Sequence, residues 1–64
     1  MTNGVKKYRV RVYNFIKRFH DEYEVFARGA GLAADRALER IFIETDYDVD
    51  DFEVLEVKEI TDNE

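Results

Sequence analysis

The run "KYRVRVY" at residues 7–13 constrains this chain most. It sets Tyr8, Val10 and Val12 on one side of an extended backbone and Lys7, Arg9, Arg11 and Tyr13 on the other, the period-two pattern of a half-buried strand. "DEYEVFAR" repeats the device, opposing Tyr23, Val25 and Ala27 to Glu22, Glu24, Phe26 and Arg28. Between them "NFIKRFH" lacks an Asn-Gly or Gly-Gly pair, so the hairpin loop is longer than two residues and exposes Phe15, Ile16 and Phe19.

The period then changes. After "GAG" at 29–31, read as a helix entry, Ala34, Ala37, Leu38, Ile41, Phe42 and Thr45 follow the spacing of an amphipathic helix. Asp35, Arg36, Glu39, Arg40 and Glu44 take its outer face, with Arg36–Glu39 and Arg40–Glu44 in reach of one another. "DFEVLEVKEI" returns to strand chemistry, but Phe52 and Val54 are out of phase with Leu55 and Val57, and a bulge near Leu55 or Glu56 reconciles them.

The order β-β-α-β, without a repeat or linker, describes a single α+β domain over residues 1–64, with 1–5 and 61–64 frayed. One helix packs on one face of a three-stranded antiparallel sheet, and a crossover that returns the last strand beside the first gives the strand order 2-1-3. The basic first strand then lies between acidic neighbours and is neutralised by them, at about 0.2 to 1 kcal/mol for each cross-strand pair. The acids from Glu44 onward keep most of their charge.

Charge is distributed very unevenly along the 64 residues: positions 1–18 hold six bases and no acid, and positions 44–64 hold ten acids and only Lys58. Eight of those acids, Glu44, Asp46, Asp48, Asp50, Asp51, Glu53, Glu56 and Glu59, fall within sixteen positions, interleaved with Tyr47, Val49 and Phe52. Three chemistries account for such a run.

A calcium loop would begin D-x-D-x-D, as Asp46, Asp48 and Asp50 do, but Asp51 stands where the loop needs Gly and Val57 where it needs a bidentate Glu. No metal or cofactor is expected. A charge run is most often a solvated face, yet the density here exceeds what solubility needs. The remaining reading is a cationic partner. On an extended chain Asp46, Asp48 and Asp50 would point to one side about 6.6 Å apart, like phosphates along a nucleic-acid strand. The eight acids are therefore the candidate partner-binding residues, with Phe52 more at home in the core.

Catalysis is not expected. Ser and Cys are absent, His20 has no designated orienting partner, and no phosphate loop follows a strand. Direct nucleic-acid binding by "KKYRVRVY" is opposed by the flanking negative strands. The lack of cysteine, of a secretory h-region and of a membrane-length apolar run fits a reducing cytoplasm. Exposed Phe15, Ile16 and Phe19 offer a homodimer contact.

Three resemblances accompany these residues. "ALE" in the helix and "FEVLEV" in the last strand resemble the small RNA polymerase inhibitors of T7-type phages over residues 22–58, whose two polymerase-binding arginines fall at Glu56 and Lys58. That likeness implies an inhibitor of host RNA polymerase that uses Arg9, Arg11 and Lys58 as well as the acids. "YRVRV", "ALERI" and "EVKEI" are similar to elements of the archaeal ribosomal protein LX family, which implies a ribosome- or RNA-associated protein. Size, lack of cysteine and the acidic half look most like phage host-takeover proteins of the DNA-mimic type, represented by Bacillus phage inhibitors of the histone-like nucleoid protein HU. That resemblance implies an acidic face that occupies HU's DNA-binding arms and saddle, displacing DNA in the nucleoid of a bacterial host.

Overall fold

In the computed structural model, which describes residues 4–61, the strands are β1 (Lys6–Asn14), β2 (Phe19–Ala27) and β3 (Phe52–Ile60). A helix, α1 (Ala30–Glu44), and a 3-10 turn (Val49–Asp51) separate β2 from β3. The expected fraying of 1–5 and 61–64 falls largely on residues 1–3 and 62–64, outside those described.

All three strands are antiparallel in the order β2-β1-β3, with α1 across one face, an α+β fold. β1 is central because its Tyr8, Val10 and Val12, all buried, have apolar neighbours on both sides: Val25 and Tyr23 on β2, Val57 and Val54 on β3. The phase change in β3 is a bulge, in which Arg11 pairs with Glu56 and Val12 with Val54, so Leu55 is extra and turns out to solvent.

The helix is rotated from the expected stripe. Ala33, Ala37 and Ile41 are fully buried, Ala34, Leu38 and Thr45 only partly so, and Phe42 is 72% exposed. Apolar residues nearly encircle this helix, so periodicity did not select a side. The two alanines did: with no bulk beyond Cβ they let α1 settle close on β1 and β2, where Phe42 would hold it away. The expected Arg36–Glu39 pair does not form; Arg40–Glu44 does, at 3.1 Å.

The hairpin loop is Phe15–Arg18, four residues between the paired Asn14 and Phe19. Fully buried Asn14 organises it, its Oδ1 accepting from the Ile16 and Lys17 amides at 3.0 and 2.8 Å while its carbonyl accepts from the Arg18 amide at 2.7 Å. Arg18 takes the left-handed conformation, φ 66°, that closes the turn. Phe15 and Ile16 are exposed as expected, but Phe19 is not: its ring packs 5.2 Å from Tyr47 and 5.9 Å from Phe52, covered by the chain that leads into β3.

Candidate functional site: an uncompensated acidic loop

The eight candidate acids divide by their surroundings. Glu44 is bound twice by the Arg40 guanidinium, Glu56 lies 3.6 Å from Arg11, and Glu59 lies 3.9 Å from Lys6. Glu56 and Glu59, expected to stay largely uncompensated, are paired, and the Arg40–Glu44 pair is the one that helical spacing predicts. Asp46, Asp48, Asp50, Asp51 and Glu53 form no ion pair among the described residues. The eight therefore do not share one face. Glu53 and Glu56 sit with Tyr13 and Arg11 on the open side of the sheet, Glu59 is level with Tyr8 on the helix side near the far end of β3, and Asp46–Asp51 cap the end beside the β1–β2 loop.

Nor is the segment 46–51 extended. The expected spacing of about 6.6 Å along one side is replaced by a bend and a 3-10 turn. The turn forms because Asp48 caps it, Oδ1 accepting from the Asp50 amide at 3.0 Å, while the Asp51 amide donates to the Asp48 carbonyl at 3.0 Å. Asp and Asn favour such local bonds over a strand ladder. Upstream, the Thr45 hydroxyl donates to the Ile41 carbonyl at 2.7 Å and accepts from the Tyr47 amide at 3.1 Å. Downstream, the Phe15 amide donates to the Asp51 carbonyl at 3.0 Å, which ties the loop to the hairpin.

Apolar contacts complete the anchorage. Tyr47 packs edge-on to Phe52 at 6.1 Å, and Val49 and Phe52 lie against the core, as the sequence suggested for Phe52. The result is four carboxylates, Asp46, Asp48, Asp50 and Asp51, on a segment fixed by side chain and backbone, rimmed by exposed Phe15, Ile16 and Tyr47, with Glu53 beyond it on β3. Lys17 and Arg18, on the adjoining loop, form no ion pair with them. Sequence reading missed this contribution of the hairpin loop, since nothing in "NFIKRFH" signals contact with residue 51.

The open face of the sheet is the opposite case. Lys7 meets Glu24 at 3.2 Å, Arg9 lies 3.9 Å from both Glu22 and Glu24, and Arg11 lies 3.5 Å from Glu22. The first strand is neutralised by its neighbours, as its position between them requires. The His20 ring lies tilted against that of Tyr13, centroids 4.7 Å apart. Near the helix, Arg40 also donates to the Glu24 carbonyl at 3.0 Å and lies 5.4 Å from the Tyr23 ring. Its pKa is raised by the Glu44 hydrogen bond and charge, and that of the Tyr23 hydroxyl by burial and then by Asp21.

Among the described residues no group of three or more His, Cys, Asp or Glu side chains is placed to hold a metal ion, and no helix is long and apolar enough to cross a membrane. No family model, curated protein or solved structure matches the chain.

Proposed function

We propose that the protein is a non-enzymatic binding module that presents the loop acids Asp46, Asp48, Asp50 and Asp51, with Glu53 at the start of β3, to the basic DNA-binding surface of a nucleoid protein of the HU type, and displaces DNA from it. One observation carries the reading: these carboxylates form no ion pair among the described residues, on or beside a hydrogen-bonded, ring-anchored loop, while the bases that face outward from β1 are matched by glutamates of the neighbouring strands.

The physics favours a partner. Carboxylates at fixed separations repel one another, and a cationic surface relieves that repulsion on binding, as it does for the phosphates of a duplex. Preorganisation matters as much as charge, because a loop already ordered loses little entropy when it docks. Phe15, Ile16 and Tyr47, exposed around the acids, supply apolar contact area that an acidic tail alone would lack. Glu44, Glu56 and Glu59, already engaged by Arg40, Arg11 and Lys6, are peripheral to this contact. The bacterial cytoplasm is the compartment in which such a partner is met.

The direct test is competition. A purified HU-type protein bound to fluorescent duplex DNA is titrated with this protein, and DNA release is followed by anisotropy. Release should require stoichiometric protein and weaken by at least tenfold when salt is raised from about 50 to about 300 mM. DNA that stays bound at saturating protein, or release indifferent to salt, would remove the basis of the proposal.

A further inference from the structure

We propose that the free edge of β2, with the adjoining side of α1, is a self-association surface, on which two copies join about a two-fold axis near Val25 into one six-stranded antiparallel sheet. The inference is independent of the acidic loop, which lies beyond the other end of β2.

β2 pairs only with β1, so its outer edge has no strand beside it. The Glu24 carbonyl takes its bond from Arg40 outside the sheet, and alternation along an antiparallel strand turns the backbone groups of Glu22 and Phe26 the same way. A carbonyl has a second lone pair, so Arg40 does not close the edge. Between this edge and α1 runs an open groove of about 540 Å³, lined by Glu24, Val25 and Phe26 from the strand and by Arg36, Glu39, Arg40 and Ile43 from the helix. Its helical wall is bare: Ile43 is 69% exposed and Leu32, on the same helical stripe, is 50% exposed, while the Phe26 side chain, 62% exposed, turns with Lys7 to the open face of the sheet.

Charge complementarity selects a second copy as the occupant. An axis at Val25 sets Glu24 opposite Phe26 of the second copy, and Glu22 opposite Arg28 of the second copy. An axis at Tyr23 would instead oppose Glu22 to Glu24 twice, and one at Glu22 or Glu24 would oppose like to like, so the acids exclude a shift toward Glu22, whereas an axis at Phe26 would still set Glu24 opposite Arg28. The helices follow the same symmetry. Leu32, Arg36, Glu39 and Ile43 recur at i, i+4, i+7 and i+11, and an antiparallel copy brings Leu32 against Ile43 and Arg36 against Glu39, twice each. Arg28, Arg36 and Glu39 form no ion pair within one copy among the described residues; in the pair each gains one.

Light scattering on the eluting full chain tests this. The expected mass in the micromolar range is twice that of the 7.6 kDa chain. Arg36→Glu sets like charges together at two symmetric places and should weaken dimerisation about tenfold or more, and Glu39→Arg added to it should restore the wild-type dissociation constant. Both positions are exposed on the helix, and circular dichroism verifies the fold of each variant. Phe15→Asp, at the opposite end, should leave the dimer intact. A monomeric wild type, a dimer indifferent to Arg36→Glu, a double variant that fails to recover, or a dimer lost with Phe15→Asp would each overturn the proposal.

Discussion

The open face of the sheet and the loop at 45–51 are both crowded with charge, and they behave in opposite ways. On the sheet every base of β1 that faces outward lies within 4 Å of a glutamate on a neighbouring strand. In the loop, the four carboxylates Asp46, Asp48, Asp50 and Asp51 have no such partner among the described residues. The same side-chain chemistry is used for cohesion in one region and left available in the other. What differs is the neighbour: a strand ladder places opposite charges at fixed cross-strand positions, whereas the loop, capped by the Asp48 side chain on a local amide, forms no ion pair among the described residues.

The contrast is broken most severely by neutralising the loop. Replacing Asp48, Asp50 and Asp51 together by Asn retains an acceptor for the Asp50 amide and should lower affinity for an HU-type protein about 100-fold, with the melting temperature unchanged or raised by relief of repulsion. Isothermal titration and thermal denaturation of the same variant measure the two effects. Unaltered binding would move the contact away from the loop.

Asn14→Ala comes next. It removes the acceptor of the Ile16 and Lys17 amides and should cost about 2 kcal/mol in urea unfolding. Its effect should be regional, with hydrogen exchange faster at residues 15–18 and, through the Phe15–Asp51 bond, at 48–51, and unchanged at Arg9. Uniform acceleration would mean that the loop and sheet ends are not separable.

Glu22→Gln probes the other region. Glu22 lies beside both Arg9 and Arg11, but these are half-exposed pairs at 3.9 and 3.5 Å. The loss should be about 0.5 kcal/mol and should vanish in high salt, and Asp46→Asn should show no comparable loss. Equal destabilisation by the two variants would erase the distinction.

The smallest effect is at high pH. The Tyr23 hydroxyl is raised from 10.0 by burial and by Asp21, so the folded state holds this proton after the unfolded chain has released it. Its contribution is whole below pH 10.0, diminishes as pH rises from there, and is gone above the folded-state pKa. Subtracting the profile of Tyr23→Phe from that of the wild type should leave a small decline above pH 10.0 and nothing below it. A difference that grows on acidification would reverse the sign.

Much of this architecture was readable from local pattern. Alternation in "KYRVRVY" and "DEYEVFAR" placed two strands, and the phase break in "FEVLEV" required a bulge, which the fold puts at Leu55. Phe42 and Phe19 were misread for the same reason: hydrophobicity states that a ring prefers cover and does not state which neighbour supplies it. Phe19 found Tyr47 and Phe52, while Phe42 lost its place on the sheet to Ala33 and Ala37. Glu56 and Glu59 were similarly placed by their number in the run and not by their partners, because Arg11 and Lys6 reach them only after the strands pair, whereas the i,i+4 pair Arg40–Glu44 was legible from helical spacing.

The amino-acid sequence by itself determined the element types, the central position of β1 and the total of charge, since periodicity and composition are properties of the chain alone. Only the tertiary structure decided which charges remain uncompensated, because an ion pair and a buried ring are set by distances across strands and between a loop and its hairpin. Those distances are fixed when small alanines seat the helix and Asn14 and Asp48 close their turns.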